Sequence, residues 1–101
     1  MVMSQQWLST TLVTADPKIV LCDLDNERVL LDIDSSRYFA MNKVSIHVWE
    51  AIAEPTSVAD LQASLMQHFN VDADRCRRDL EALLTKLSQS ALIRVQHVLA
   101  A

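Results

Sequence analysis

The sequence contains no glycine. Gly-rich phosphate loops and dinucleotide fingerprints need glycine for close backbone approach, so both are excluded. Every tight turn must be made by Asn, Asp or Ser instead. Cations are also scarce, with nine Lys and Arg against 13 Asp and Glu, a formal charge of −4 and a pI of about 5.1. Nucleic acid is normally held by clustered cations, and an anionic membrane asks for the same, so neither partner is expected. Cysteine is limited to Cys22 and Cys76, far apart and on apolar faces, which read as reduced core thiols rather than metal ligands. His47, His68 and His97 scatter over two predicted helices and a tail, with no metal spacing and no recognisable nucleophile–base grouping. Asp32, Asp34 and Asp60 suggest no dedicated acid–base pair either. No catalysis, metal or cofactor is expected. No apolar run approaches the ~20 residues of a membrane span, and Met1–Gln6 has no signal-peptide pattern, so a soluble cytoplasmic protein is expected.

What the chain does have is apolar periodicity. Half of its 101 residues are hydrophobic and 22% are charged, the balance of one folded domain. We expect that domain to span residues 1–101, with its core over about 19–95 and Met1–Gln6 frayed. Trp7–Val13 reads either as a short strand or as an arm laid over the core. Beyond the break at Asp16-Pro17, Ile19–Leu24 and Arg28–Ile33 read as strands joined by turn residues Asp25-Asn26-Glu27. Asp34-Ser35-Ser36 then turns into a third strand, Arg37–Met41, which completes an antiparallel meander.

At Asn42, a good N-cap, the period changes from sheet to helix. Lys43–Ala53 is predicted as the first helix, ended by Glu54-Pro55. Ser57 with Asp60 resembles a capping box for a second helix running to about Phe69. Asp72 can cap a third, from Ala73 to about Gln89, where Cys76, Leu80, Leu83, Leu84, Leu87 and Ala91 fall in one sector. Leu92–Val95 packs back as an extended tail, and Gln96–Ala101 has no clear assignment. The order β-β-β-α-α-α implies an α+β fold, a three-stranded antiparallel sheet followed by three helices, winged helix-turn-helix-like.

Several of these residues together resemble a known family. Leu30-Leu31-Asp32, Tyr38-Phe39-Ala40-Met41-Asn42, Val48-Trp49-Glu50, Thr56–Leu61, Asp79-Leu80 and Leu92-Ile93 are similar, in order and spacing, to the pattern of PqqD-like proteins. The resemblance covers roughly Ile19 to Val95. It implies a winged-helix-like recognition element for ribosomally made, post-translationally modified peptides. Such elements add the leader segment of a precursor peptide to the third strand, beside the third helix, and present the core peptide to a partner enzyme. Free-standing members serve lasso-peptide pathways, with a transglutaminase-like cysteine protease as partner, or radical-SAM maturases. The chain departs mildly at Met41 and Leu80, and Ala91 stands where the family has a glycine helix cap.

On this resemblance the expected peptide-binding residues are Arg37, Tyr38, Phe39, Ala40 and Met41 on the strand, with Arg75, Asp79, Ala82, Leu83 and Lys86 on the helix. Phe39 and Met41 should face the helices, with Tyr38 and Ala40 on the other side. Ala40 and Ala82 leave room for leader side chains over a floor of Phe39 and Leu83, while Arg75, Asp79 and Lys86 fix register. The plainer readings are ordinary sheet packing for Tyr38 and Phe39, and a local Arg75–Asp79 pair. Arg75, Arg77 and Arg78 read as a solvated, charge-mixed helix start. Two other classes remain open: a winged-helix DNA-binding regulator, and a strand-edge oligomerisation module forming a homodimer.

Overall fold

The computed structural model describes residues 7–97, so the expectation of a frayed Met1–Gln6 lies outside the described residues, as does the tail from residue 98. The elements run β1 (Leu12–Ala15), β2 (Ile19–Leu24), β3 (Glu27–Asp32), β4 (Arg37–Met41), α1 (Lys43–Ala51), β5 (Thr56–Ser57), α2 (Val58–His68), α3 (Ala73–Gln89) and β6 (Ile93–Gln96). The fold is α+β, as the sequence pattern implies.

The predicted meander is one sheet, in the order β2-β3-β4, both pairings antiparallel. Its tight corner is made without glycine: Asp25 at φ 50° and Asn26 at φ 71° form a two-residue turn closed by Leu24 opposite Glu27. Positive φ at both central residues is the type I′ hairpin condition, and Asp and Asn meet it at least cost among non-glycine residues. In the next turn Ser36 takes φ 59°. There Asp32 Oδ1 accepts from the Asp34 amide at 3.1 Å and the Ser35 amide at 3.5 Å.

The structure adds a second sheet, in the order β5-β1-β6. Trp7–Val13 is thus both an arm and the start of a strand. β1 pairs with β5 through Leu12 and Val13, and with β6 along its whole length. The arm before it is tied down. Its Ser9 and Thr11 carbonyls accept from the Ala59 and Val58 amides, satisfying donors that the first turn of α2 would leave open. The Trp7 indole N–H donates to Thr85 Oγ1 at 2.9 Å. Trp7 and Val13 belong to the core with Val48, Ile52, Leu61, Leu80, Leu84 and Leu87, so the core begins well before Ile19.

Helix caps decide where the site elements start and stop. Asn42 caps α1, and the reciprocal partner is Ser45, whose hydroxyl accepts from the Asn42 amide at 2.8 Å. Ser57 caps α2 by accepting from the Asp60 amide, which is one half of the expected box. Asp72 caps α3 through the Arg75 amide. At its far end, the Ala91 amide donates to Ser88 O and the Leu92 amide to Leu87 O, both at 3.0 Å, a Schellman closure. It holds Ala91 at φ 58°, a left-handed angle that costs an L-residue about 1–2 kcal/mol. Ala91→Gly removes that strain but adds entropy to the unfolded chain, so the net gain is expected to be about 0.5–1 kcal/mol. A urea titration reads it as a higher midpoint at unchanged slope. A lower midpoint would mean that Ala91 is not held left-handed.

Candidate functional site

β4 carries the features a binding edge needs. Among the described residues it pairs only with β3, so its other edge carries no strand. Alternation divides its side chains. Phe39 and Met41 pack on the core, as expected, while Tyr38 and Ala40 lie on the opposite, exposed face. Beside the free edge runs α3, and between them opens a groove of about 430 Å³. Phe39 and Ala40 line one wall, Asp79, Ala82, Leu83 and Lys86 the other, with Asn42, Val44 and Ser45 at the end where α1 starts.

Two smaller cavities extend this groove. One, of about 120 Å³, shares Phe39 with it and reaches Arg37, Tyr38, Asp32 and Ser35 in the β3–β4 turn and Ser90 and Leu92 after α3. The other, of about 90 Å³, shares Val44 and Asp79 and is otherwise apolar, lined by Leu65, Phe69, Val71, Cys76 and Leu80. A polar end, a mixed middle and an apolar end therefore follow one another past β4.

Electrostatics separates the two ends. Burial pushes the Asp32 carboxyl up, but hydrogen bonds from Ser35 and Asp34 and the charge of Lys18 outweigh it, and the group sits below its ordinary value. Because the folded value is the lower one, the stability Asp32 contributes is present above about pH 3.9 and is lost as pH falls through the folded value. At the apolar end, burial pushes the Cys76 thiol up, and the charges of Asp79 and Asp72 add to it. That thiol stays protonated, the opposite of what a nucleophile needs.

Residues 27–93 match the family described as "Coenzyme PQQ synthesis protein D (PqqD)". The chain belongs to the PqqD family. No curated protein matches it. Among solved structures, "TbiB1 in Complex with the TbiA(beta) Leader Peptide" is similar, with a TM-score of 0.69 and 22% identity, over 86% of this chain and 99% of that one. "Lasso peptide synthetase B1 complexed with the leader peptide" has a TM-score of 0.67 and 26% identity, over 81% of this chain and 96% of that one.

Of the ten residues expected at the peptide site, Phe39, Ala40, Asp79, Ala82, Leu83 and Lys86 meet around the main groove, and Arg37 and Tyr38 line the cavity next to it. Met41 and Arg75 line none of the three cavities. Met41 packs against the core. Arg75 pairs along its own helix with Asp79 at 3.7 Å, both side chains well exposed, which is the plainer of the two readings. Sequence reasoning missed the α1 start, Asn42, Val44 and Ser45, as a groove wall. The signal was present, because a helix capped directly after an edge strand must begin beside that edge.

Two further expectations change. Arg77 is not a solvated cation. Its guanidinium donates to Glu81 Oε2 at 2.6 Å, Gln62 Oε1 at 3.1 Å, Ser9 Oγ at 3.3 Å and the Trp7 carbonyl at 3.1 Å, tying the arm to α2 and α3. The fold also brings together two histidines that the sequence separates: the His47 and His68 rings lie 4.5 Å apart. They sit on α1 and α2, where His47 Nε2 meets Ser64 Oγ at 2.7 Å and His68 Nδ1 meets the Ser64 carbonyl at 2.9 Å. Among the described residues no group of three or more His, Cys, Asp or Glu could hold a metal ion. No described helix is long and apolar enough to cross a membrane.

Proposed function

We propose that this chain is a non-catalytic module that recognises the leader segment of a ribosomally made precursor peptide. The leader adds as a strand to β4 beside α3, and the module delivers the peptide to a separate processing enzyme. The observation that carries this reading is the edge of β4, unpaired among the described residues, facing a groove of about 430 Å³ on α3. The two similar solved structures, each a complex with a leader peptide, support it and favour a lasso-peptide pathway with a leader protease over a radical-SAM maturase.

Magnitudes divide the work between backbone and side chains. The free edge of a five-residue strand offers about five backbone hydrogen bonds, each worth a net ~1 kcal/mol. Micromolar binding needs about 8 kcal/mol, and ordering the peptide costs a further 2–5 kcal/mol. The groove must then supply at least ~5 kcal/mol, or two to three apolar leader side chains buried at about 1.5–3 kcal/mol each. Small Ala40 and Ala82 leave the space, Phe39 and Leu83 give the floor, and Asp79 and Lys86 fix register from the rim.

The test is a titration of the labelled N-terminal half of any short precursor peptide found encoded beside this chain, read by fluorescence anisotropy. Micromolar or tighter binding is expected, weakened at least tenfold by a proline in the pairing segment, which removes a donor and an extended-strand contact. The double substitution Asp79→Ala with Lys86→Ala should weaken binding several-fold, and an unchanged affinity would remove the α3 rim from the site. Absence of binding together with a concentration-dependent dimer would replace this reading with self-association through the strand edge.

A further inference from the structure

Of the nine Lys and Arg side chains, all within the described residues, five are ion-paired: Lys18, Arg28, Arg75, Arg77 and Arg94. Arg37, Lys43, Arg78 and Lys86 have no ion-pair partner among the described residues. Two of those four, Arg37 and Lys86, border the peptide site, and both stand towards its polar end. The placement follows from how α3 lies beside β4. Asp79 lines the groove with Asn42 and Val44, past the end of β4, while Ser90, one turn beyond Lys86, lines the smaller cavity with Arg37 at the strand's start. The two elements therefore run in opposite directions. Arg37 and Lys86 flank Phe39, the residue the groove and the cavity share.

We propose that this end of the groove is a carboxylate subsite, which takes an Asp or Glu side chain of the leader between the Arg37 guanidinium and the Lys86 ammonium. The inference rests on the leader reading above. Its first support is charge. In a chain of formal charge −4, two uncompensated cations on one short stretch of a peptide groove select an anion. The opposite end is compensated, because Arg75 already stands 3.7 Å from Asp79. The hydroxyls of Ser35 and Ser90 on the cavity wall supply further donors. Two features oppose an anion, and both are muted. Asp32 lines the cavity opposite Arg37 in the β3–β4 register, but no ion pair joins the two, and Asp32 Oδ1 accepts from the Asp34 and Ser35 amides. The negative end of the α3 dipole also points this way, but the Lys86, Leu87 and Ser88 carbonyls accept from the Ser90, Leu92 and Ala91 amides.

The second support is spacing. Leu83 and Ala82 lie ~4.5 and ~6 Å along the helix from Lys86. Side chains on one face of a strand repeat every second residue, ~6.7 Å apart. A leader whose acidic residue meets Lys86 therefore sets the side chain two positions away over Ala82 and Leu83, the apolar part of the groove. The leader signature is thus an apolar and an acidic residue two positions apart, both facing α3. A strand added antiparallel, the sense of both pairings in this sheet, places the apolar residue first and the acidic one second.

The test is a charge exchange between module and peptide. The probe is the labelled N-terminal half of any short precursor peptide found encoded beside this chain, with each Asp and Glu changed singly to Lys and binding read by anisotropy. With the parent chain, one of these changes should weaken binding about tenfold, at a position two residues after an apolar one. Arg37→Glu with Lys86→Glu should weaken the unaltered peptide about tenfold and bind that one Lys-substituted peptide more tightly than the unaltered one. Both residues are exposed, so the thermal midpoint should move by no more than about 4 °C. Arg37→Gln with Lys86→Gln, run in parallel, adds no like charge and should lose most of the fall in affinity that the parent shows with added salt. Affinity of the double Glu variant within twofold of the parent, or no acidic position that responds, overturns the subsite and leaves the leader reading standing. If the parent chain binds no such peptide, the leader reading falls and this inference with it.

Discussion

Replacing Ala82 with tryptophan is expected to weaken leader binding at least a hundredfold while the thermal midpoint moves by no more than about 4 °C. Ala82 is exposed on α3 and lines the groove opposite Phe39 and Ala40. An indole there occupies the space that leader side chains would take. A hundredfold loss is about 2.7 kcal/mol, the burial of one to two apolar side chains. Stability should barely change, because the site is on the surface and tryptophan costs a helix only ~0.5 kcal/mol relative to alanine. The two readouts together are decisive. An affinity changed less than threefold would send the leader to another exposed edge, such as β2 or β6. A collapse of both affinity and midpoint would instead mean that Ala82 is a packing residue.

The second large effect is on stability and comes from the arm. Trp7→Ala should destabilise the fold by about 3–5 kcal/mol, the usual cost of truncating a buried tryptophan. For a chain of this size that lowers the midpoint by about 15 °C or more. Trp7 is 6% exposed, packs in the core and donates to Thr85, and its carbonyl accepts from Arg77. Trp7→Phe keeps most of the apolar contact and loses the N–H, so it should cost about 1–2 kcal/mol, a hydrogen bond and some packing. If the arm were merely laid on the surface, both changes would fall within ~0.5 kcal/mol, and differential scanning calorimetry would show no shift. Leader affinity below the midpoint should survive both substitutions. Arg77, Glu81 and Thr85 flank the apolar stripe of α3 on one side, and Asp79, Ala82 and Lys86 on the other, at 100° per residue.

The local rules read the site side of the molecule well. β2 and β4 and the whole of α3 fall on the residues the sequence indicates, because alternation, turn chemistry and caps are short-range signals. Met41 and Phe39 face the core for the same reason. Sheet β5-β1-β6 was not legible, since β5 has two residues and β1 and β6 four each, too short for a period to register. Their pairing is decided by what lies between them. Arg77 was misread because three arginines among acids look solvated along a helix. Its partners Trp7, Ser9 and Gln62 come from other elements, and no helical spacing announces them. The choice of β4 as binding edge came from family resemblance. Composition would have left the two edges of the meander, β2 and β4, equivalent, and only the groove against α3 distinguishes one of them.

The β1–β6 pairing joins segments from opposite ends of the sequence, Val13 to Val95 and Ala15 to Ile93. Closing a loop of that size costs about 4 kcal/mol of chain entropy before the pairing returns anything. The β2-β3-β4 meander and the α2–α3 hairpin have no such cost, since their contacts are between sequence neighbours. Folding should therefore start from the β2-β3-β4 meander and the α2–α3 hairpin as separate local units, with the clasp of β1 on β6 closing last. A peptide that bridges β4 and α3 would then hold together two units that dock only after each has formed, and would slow unfolding rather than raise the folding rate.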